Sequence, residues 1–306
     1  MVIKPYKETL PLQIMRCLIP RCELPPDAKK SYFYLEKGHE GERRFASLLE
    51  SLSNFIILHD LLLVHDSTIF QIDALLITHK TIYLFEVKNY EGEFYIESDI
   101  WYTLSGKEIK NPLLQLNRCV SLLRQYLQKS GFKLPIKGKV IFINPEFTLY
   151  QAPPQLTIVL PSQLNRFLSQ FNGNFPTPGK SLKKLADIIV ANHVNESSHR
   201  PSHYDYDQLK KGIVCKQCNS LSTSYIRRLI VCDDCNYEEA VDLSVKRSIK
   251  EFQLLFPQDK ITTSIIHEWC RVTPLKLIRR VLVRYFTMKG QGKNIYYVDS
   301  NSNYLL

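Results

Sequence analysis

A chain of 306 residues with a 44% hydrophobic share is long enough for more than one core, and its 23% of charged residues is an ordinary globular value. The formal net charge of +10 fits either a polyanionic partner, because phosphates attract Lys and Arg without regard to sequence, or simply a soluble basic protein. No apolar run approaches the ~18 residues of a membrane span, and the opening MVIKPYKETLPLQIMRC lacks the apolar core and cleavage site of a secretory signal, so a cytoplasmic protein without a membrane partner is expected.

Residues 1–30 are Pro-rich, with a short helix expected around Leu12–Leu18. Lys37–Leu52 places Phe45, Leu48, Leu49 and Leu52 at helical spacing. Three short runs rich in Ile, Val, Phe and Tyr follow at Phe55–Val64, Ile69–Thr78 and Ile82–Val87, and these predict strands. A hairpin is expected around Ser98-Asp99, then a helix from Pro112 to about Lys129, ended by Gly131. Val140–Ile143 and Leu156–Leu160 are further strands, and helices near Gln163–Phe171 and Leu182–His193 close a mixed α/β layer around a central sheet. The polar stretch Ala191–Asp207 is expected to be a linker, followed by a Cys-rich module from about Gly212 to Leu243. Beyond Ser244 the pattern is mainly helical, which sets expected domains at 1–200, 210–243 and 244–306.

The segment Phe70–Asn89 places Asp73, Glu86 and Lys88 inside runs that otherwise have the character of buried strand. Charges there are costly unless they pair or hold a metal. They form either an ion-pair cluster at a strand end or a hydrolytic centre. Carboxylates on adjacent strands suit Mg²⁺ or Mn²⁺, which needs only one or two of them. Lys88 follows Glu86 by two residues and so shares its strand face, where an ammonium can orient a metal-bound water and stabilise developing negative charge.

Four pieces in order, KGHEGE at 37–42, QIDALLI at 71–77, FEVKNYEG at 85–92 and NPLLQ at 111–115, resemble the nuclease-related domain (NERD) of the PD-(D/E)xK, restriction-endonuclease-like superfamily. The resemblance implies a mixed central sheet flanked by helices. It also implies that Asp73 and Glu86 are the metal-binding pair and Lys88 the catalytic lysine. Glu42 matches a helix-borne acid acting as a second or water-mediated ligand, and Gln115 a polar residue packed toward the site. The activity so implied is metal-dependent hydrolysis of phosphodiester bonds, mostly of DNA.

Cys215, Cys218, Cys232 and Cys235 form CKQC and CDDC around a hairpin-sized spacer. Paired CxxC turns at this spacing suit tetrahedral Zn²⁺–thiolate ligation, and four sulfurs leave no open position, so the zinc would be structural. The pattern resembles a zinc ribbon; the rival reading is a pair of redox motifs. Pro274–Phe286 repeats Lys276, Arg280 and Arg284 on one face with Arg279 beside them, and FTMKGQGKNIYYV follows as a hairpin carrying Lys289 and Lys293. Three helices and a hairpin resemble a winged helix-turn-helix that would set this cationic face against DNA; the alternative is a helical bundle with a solvated basic face. Two functions remain in view: a nuclease with nucleic-acid-holding modules, or a non-catalytic DNA-binding or adaptor protein built on a nuclease scaffold.

Overall fold

In the computed structural model, which describes residues 1–194, 204–271 and 274–299, the chain divides into two units. One comprises Met1–Thr9 and Ser31–His199, the other Leu10–Lys30 and Arg200–Leu306. The sequence pattern had placed the helix near residue 12 with the first group. Most of the expected linker, 195–203, lies outside the described residues.

The apolar runs of the first unit form a six-stranded sheet in the order β1-β2-β3-β4-β8-β10. Its strands are β1 (Val2–Lys4), β2 (Ile56–His65), β3 (Thr68–Ile77), β4 (Ile82–Lys88), β8 (Ile136–Phe142) and β10 (Ile158–Val159). The β2-β3-β4 meander is antiparallel, and β1, β8 and β10 add in parallel. A smaller sheet, β7-β6-β5-β9, joins β5 (Gly92–Glu97) and β6 (Ile100–Thr103) through the expected Ser98-Asp99 turn. Both turn residues have positive φ, as a two-residue hairpin of right-twisted strands requires. The other two members are β7 (Glu108–Ile109) and β9 (Phe147–Tyr150), which carry too few residues to show a period.

Both faces of the large sheet are covered, which explains its nearly unbroken apolar runs. On one face Leu58, Leu75, Leu84 and Phe142 pack with Leu116, Leu123 and Tyr126 of α3 (Pro112–Lys129) and with Leu185 and Ile189 of α5 (Lys180–Ala191). On the other, Ile57, Leu76, Phe85 and Ile141 meet Phe45 and Leu49 of α2 (Pro26–Glu50) and Leu164 and Leu168 of α4 (Leu164–Ser169). Helix α3 starts where expected: Pro112 fills its first turn and the Asn111 side chain accepts from the Leu113 N–H at 2.9 Å. Helix α2 begins well before Lys37. Its first residues are largely exposed, so no apolar stripe announces them.

The period-two alternation breaks at one place. On β2 the α3 side takes Ile56 and Leu58, then Leu61 and Leu63; on β3 it takes Phe70 and Ile72, then Leu75 and Ile77. Each strand shifts phase by one residue, at Asp60 and at Asp73. Asp60 has φ of 47°, a left-handed conformation in mid-strand. Beside it His59 is 1% exposed, and burial, with Lys4 adding to it, pushes its pKa down to about 4. An unfolded chain therefore binds the proton first. Stability tied to His59 is complete above its unfolded pKa of ~6.5 and is lost as pH falls toward 4, by at most about 3 kcal/mol. Urea melts of the protein and of His59→Gln at pH 7 and pH 4.5 should show a smaller acid-induced loss in the variant.

In the second unit α1 (Leu10–Leu18) packs with α6 (Val241–Leu255). Arg21, fully buried, pairs with Glu251 at 2.7 Å, donates to the carbonyls of Lys210 and Gly212, and stacks over Trp269 at 3.9 Å. Strands β11 (Thr223–Ile226), β12 (Leu229–Cys232) and β13 (Glu238–Ala240) form an antiparallel sheet. Helices α7 (Thr263–Cys270) and α8 (Leu275–Tyr285) follow α6, with Thr262 capping α7 by accepting from the Ile265 N–H. Strands β14 (Phe286–Lys289) and β15 (Tyr296–Asp299) make the expected hairpin, and Ile261 bridges to Tyr297. No helix among the described residues is long and apolar enough to cross a membrane.

Candidate active site and cysteine cluster

Strands β3 and β4 pair from Ala74↔Phe85 to Ile77↔Ile82 and stop there. The next opposed residues are Asp73 and Glu86. Asp73 Oδ2 accepts from the Val87 N–H at 2.7 Å, so a side chain takes the place of the ladder and the strands fork. Strand β4 continues on β8 as far as Lys88↔Phe142, which holds Glu86 and Lys88 rigidly beyond the fork. Period two puts both on the α3 side with Ile82 and Leu84. There Lys88 Nζ lies 2.7 Å from Glu86 Oε1 and donates to Gln115 Oε1 at 3.2 Å. Glu86 is 2% exposed, whereas Gln115 is exposed, so the cluster is buried at its acids and open at its amide.

Glu42 comes from α2, on the other face of the sheet. Its neighbour Gly41 permits a close approach: a Cβ there would lie 2.7 Å from Asn89 Cβ and 3.1 Å from Ile143 Cγ2. Asn89 in turn donates to the Lys37 carbonyl at 2.8 Å, tying α2 to the end of β4. Burial, then Asp60 and Glu86, push the Glu42 carboxyl up to about 7. Burial, then Glu86 and Glu42, raise Asp73 well above the carboxylate range, although part of its surface meets solvent. Burial also raises Glu86, with Lys88 pulling against it. Burial alone would lower Lys88; Glu86 and Asp73 outweigh it and hold the ammonium above its ordinary value.

The structure thus brings together all five residues expected from the sequence: three acids whose carboxyls are all raised, first by burial, one lysine, and the amide that accepts from it. Glu42 Oε2 is buried with no hydrogen-bond partner. An excess of buried carboxylate with an orphaned oxygen fits a divalent cation, which hard oxygen donors suit. The only group of three or more His, Cys, Asp or Glu ligand atoms found gathered within 4.8 Å among the described residues is the four cysteines, so a cation shared by Glu42, Asp73 and Glu86 requires their side chains to draw in.

Around Glu42 stand residues that sequence reasoning missed. Tyr6 Oη lies 2.9 Å from His39 Nδ1, and burial, then the Glu42 charge, raise its hydroxyl above the ordinary phenol value. Lys4 Nζ donates to the His59 and Asp60 carbonyls and pairs with the Asp60 carboxylate at 3.6 Å. No spacing connects Tyr6 to Glu42 in the chain; only the addition of β1 beside β2 brings them together.

The four cysteines sit on two similar turns. Each CxxC is followed by an asparagine with positive φ, Asn219 at 61° and Asn236 at 57°, a conformation Asn tolerates better than most residues. Cys215 and Cys235 sulfurs are 3.6 Å apart and those of Cys218 and Cys232 3.5 Å, with no disulfide among them. Burial raises the Cys215 thiol, but the backbone N–H groups of Cys218 and Gln217 outweigh it and bring it down to about 7. The arrangement is compatible with a zinc ribbon and could hold one Zn²⁺ through four sulfurs.

On α8, Lys276, Arg279, Arg280, Val283 and Arg284 line one shallow surface. Two of these cations have an acidic partner. Asp242, in the first turn of α6, pairs with Arg280 and, at 3.3 Å, with Arg284. Lys289 is exposed on β14; the side chain of Lys293 lies outside the described residues.

The family model described as the nuclease-related domain, NERD, matches residues 37–143. This stretch carries Glu42, Asp73, Glu86, Lys88 and Gln115 and ends just after β8. No curated protein and no solved structure matches the chain.

Proposed function

We propose that this chain, whose residues 37–143 are a nuclease-related domain, hydrolyses phosphodiester bonds of DNA with Mg²⁺ or Mn²⁺. The observation that carries the proposal is the β3–β4 fork, where Asp73, Glu86 and Lys88 meet Glu42 and Gln115 within the matched segment. Asp73 and Glu86 are the residues to hold the cation, with Glu42 as a further or water-mediated ligand. Such a cation offsets charge on phosphoryl oxygens and makes a bound water nucleophilic. The chain supplies the rest. Lys88 orients the attacking water and stabilises negative charge as it develops, and Gln115 holds the ammonium toward the open side. The buried walls around Glu86 strengthen these interactions by lowering the local dielectric.

Plasmid, linear and single-stranded DNA, and RNA, incubated with Mg²⁺, Mn²⁺ or chelator, test this reading. Cutting of DNA that needs the metal supports it. Tight DNA retention with no cutting of any substrate favours the non-catalytic alternative.

The second unit is proposed to hold nucleic acid. Three helices, a hairpin and the added Ile261 bridge suit a winged helix-turn-helix, with α8 as the basic helix. Asp242 would then compete with phosphate for Arg280 and Arg284. Asp242→Asn should tighten DNA binding at low salt by about 3- to 10-fold and steepen the salt dependence by about one phosphate equivalent. An affinity and slope equal to the parent would remove α8 from the interface.

A further inference from the structure

We propose that Arg227 and Arg228, at the tip of the β11–β12 hairpin, bind phosphates of duplex DNA and extend the cationic face of α8 into one surface. The inference rests on the reading that α8 faces nucleic acid.

The turn carries residues that its geometry disfavours. Ile226 pairs with Leu229, so only two residues close the hairpin. Both have positive φ, 47° at Arg227 and 73° at Arg228, as a tight turn between right-twisted strands requires, and such a turn favours Asn-Gly. Two other two-residue turns of this chain meet the requirement with short polar side chains. Asp66-Ser67 joins β2 to β3 and Ser98-Asp99 joins β5 to β6, with positive φ at all four residues. Arginine has the crowded Cβ of any L-residue there, without the short side chain that bonds locally in return. Strain kept at an exposed tip marks a candidate functional position.

The tip is open to a ligand, and the fold sets it beside α8. Both arginines are exposed, and no acid among the described residues pairs with them. The Arg228 carbonyl accepts from the Val241 N–H at 3.0 Å, at the start of α6. The next residue, Asp242, pairs with Arg280 and Arg284 of α8. The hairpin tip therefore adjoins the face lined by Lys276, Arg279, Arg280 and Arg284. Cations spread over two neighbouring elements suit a run of phosphates, which attract them without regard to sequence.

Duplex DNA of mixed sequence, titrated into the full chain over a range of salt, tests the inference in three variants. Arg227→Asn with Arg228→Gly gives the turn its favoured pair. Its urea midpoint should rise, while DNA affinity at low salt falls about 10-fold and the salt slope shrinks by about two. Arg227→Lys with Arg228→Lys keeps both charges and should keep the slope. Arg279→Ala reports on α8 and should shrink the slope by about one. A parent-like slope in the Asn-Gly variant, with Arg279→Ala weakened, overturns the inference and leaves α8 on the interface. Parent-like binding in both removes the α8 reading and the inference together. A double-lysine variant that loses as much as the Asn-Gly variant would mean that the tip acts through the fold, and the inference also fails.

Discussion

Replacing Cys232 with Ser, or stripping metal with a chelator, is expected to unfold the module around residues 212–240. This segment buries little apolar surface of its own: Ile213, Val214 and Ile230 are its main buried aliphatic side chains, with Thr223 donating to the Ile213 carbonyl at 2.7 Å. So small a core does not offset the entropy of ordering the chain. A structural zinc site contributes about 10–16 kcal/mol at neutral pH in comparable small modules. The strain stored here points the same way. Asn219 and Asn236 hold positive φ, and so do Arg227 and Arg228 in the hairpin turn, four residues that an unconstrained chain would relax. Metal analysis should find about one zinc per chain in the parent and none in Cys232→Ser, with residues 212–240 becoming protease-sensitive. Unchanged protease resistance after full removal of the metal would show that the module folds without it.

Lys88→Ala should damage both chemistry and stability, and the two can be separated. Removing a preorganised group that stabilises transition-state charge costs about 10²–10³ in turnover. The same substitution strips the cation from Glu86, which is 2% exposed, and an orphaned partner of a buried pair costs about 3–5 kcal/mol. Lys88→Met with Glu86→Gln removes both charges and should recover most of the lost stability while cleavage stays absent. Urea denaturation beside a plasmid assay reads both quantities. A double variant that regained cleavage would place the chemistry elsewhere.

How far the sequence revealed this site depends on what each residue leans on. Asp73, Glu86 and Lys88 stand out because their neighbours are apolar at strand spacing, and the fork that unites them is local to adjacent strands. Gln115 and Glu42 needed the resemblance, since a polar residue on a helix carries no sign of what it faces; the packing of Gly41 on Asn89 supplies the missing reason for Glu42. Tyr6 was out of reach because its link to Glu42 is made by a three-residue strand pairing across more than fifty positions. The phase shift at Asp60 and Asp73 was hidden too, since period-two reasoning assumes an unbroken pleat. On α8 the basic spacing was legible, but Asp242 neutralises part of it from another helix, a tertiary effect no periodicity records.

The most direct measurement is plasmid nicking and linearisation by the full chain, with the parent and Glu86→Gln run side by side in Mg²⁺, in Mn²⁺ and in chelator. The parent should cut only with metal, and Glu86→Gln, folded by its melting curve, should not cut under any of these conditions. Cleavage by Glu86→Gln at the parent rate, or cleavage by the parent in chelator, would contradict the assignment of the β3–β4 fork as a metal-dependent nuclease centre.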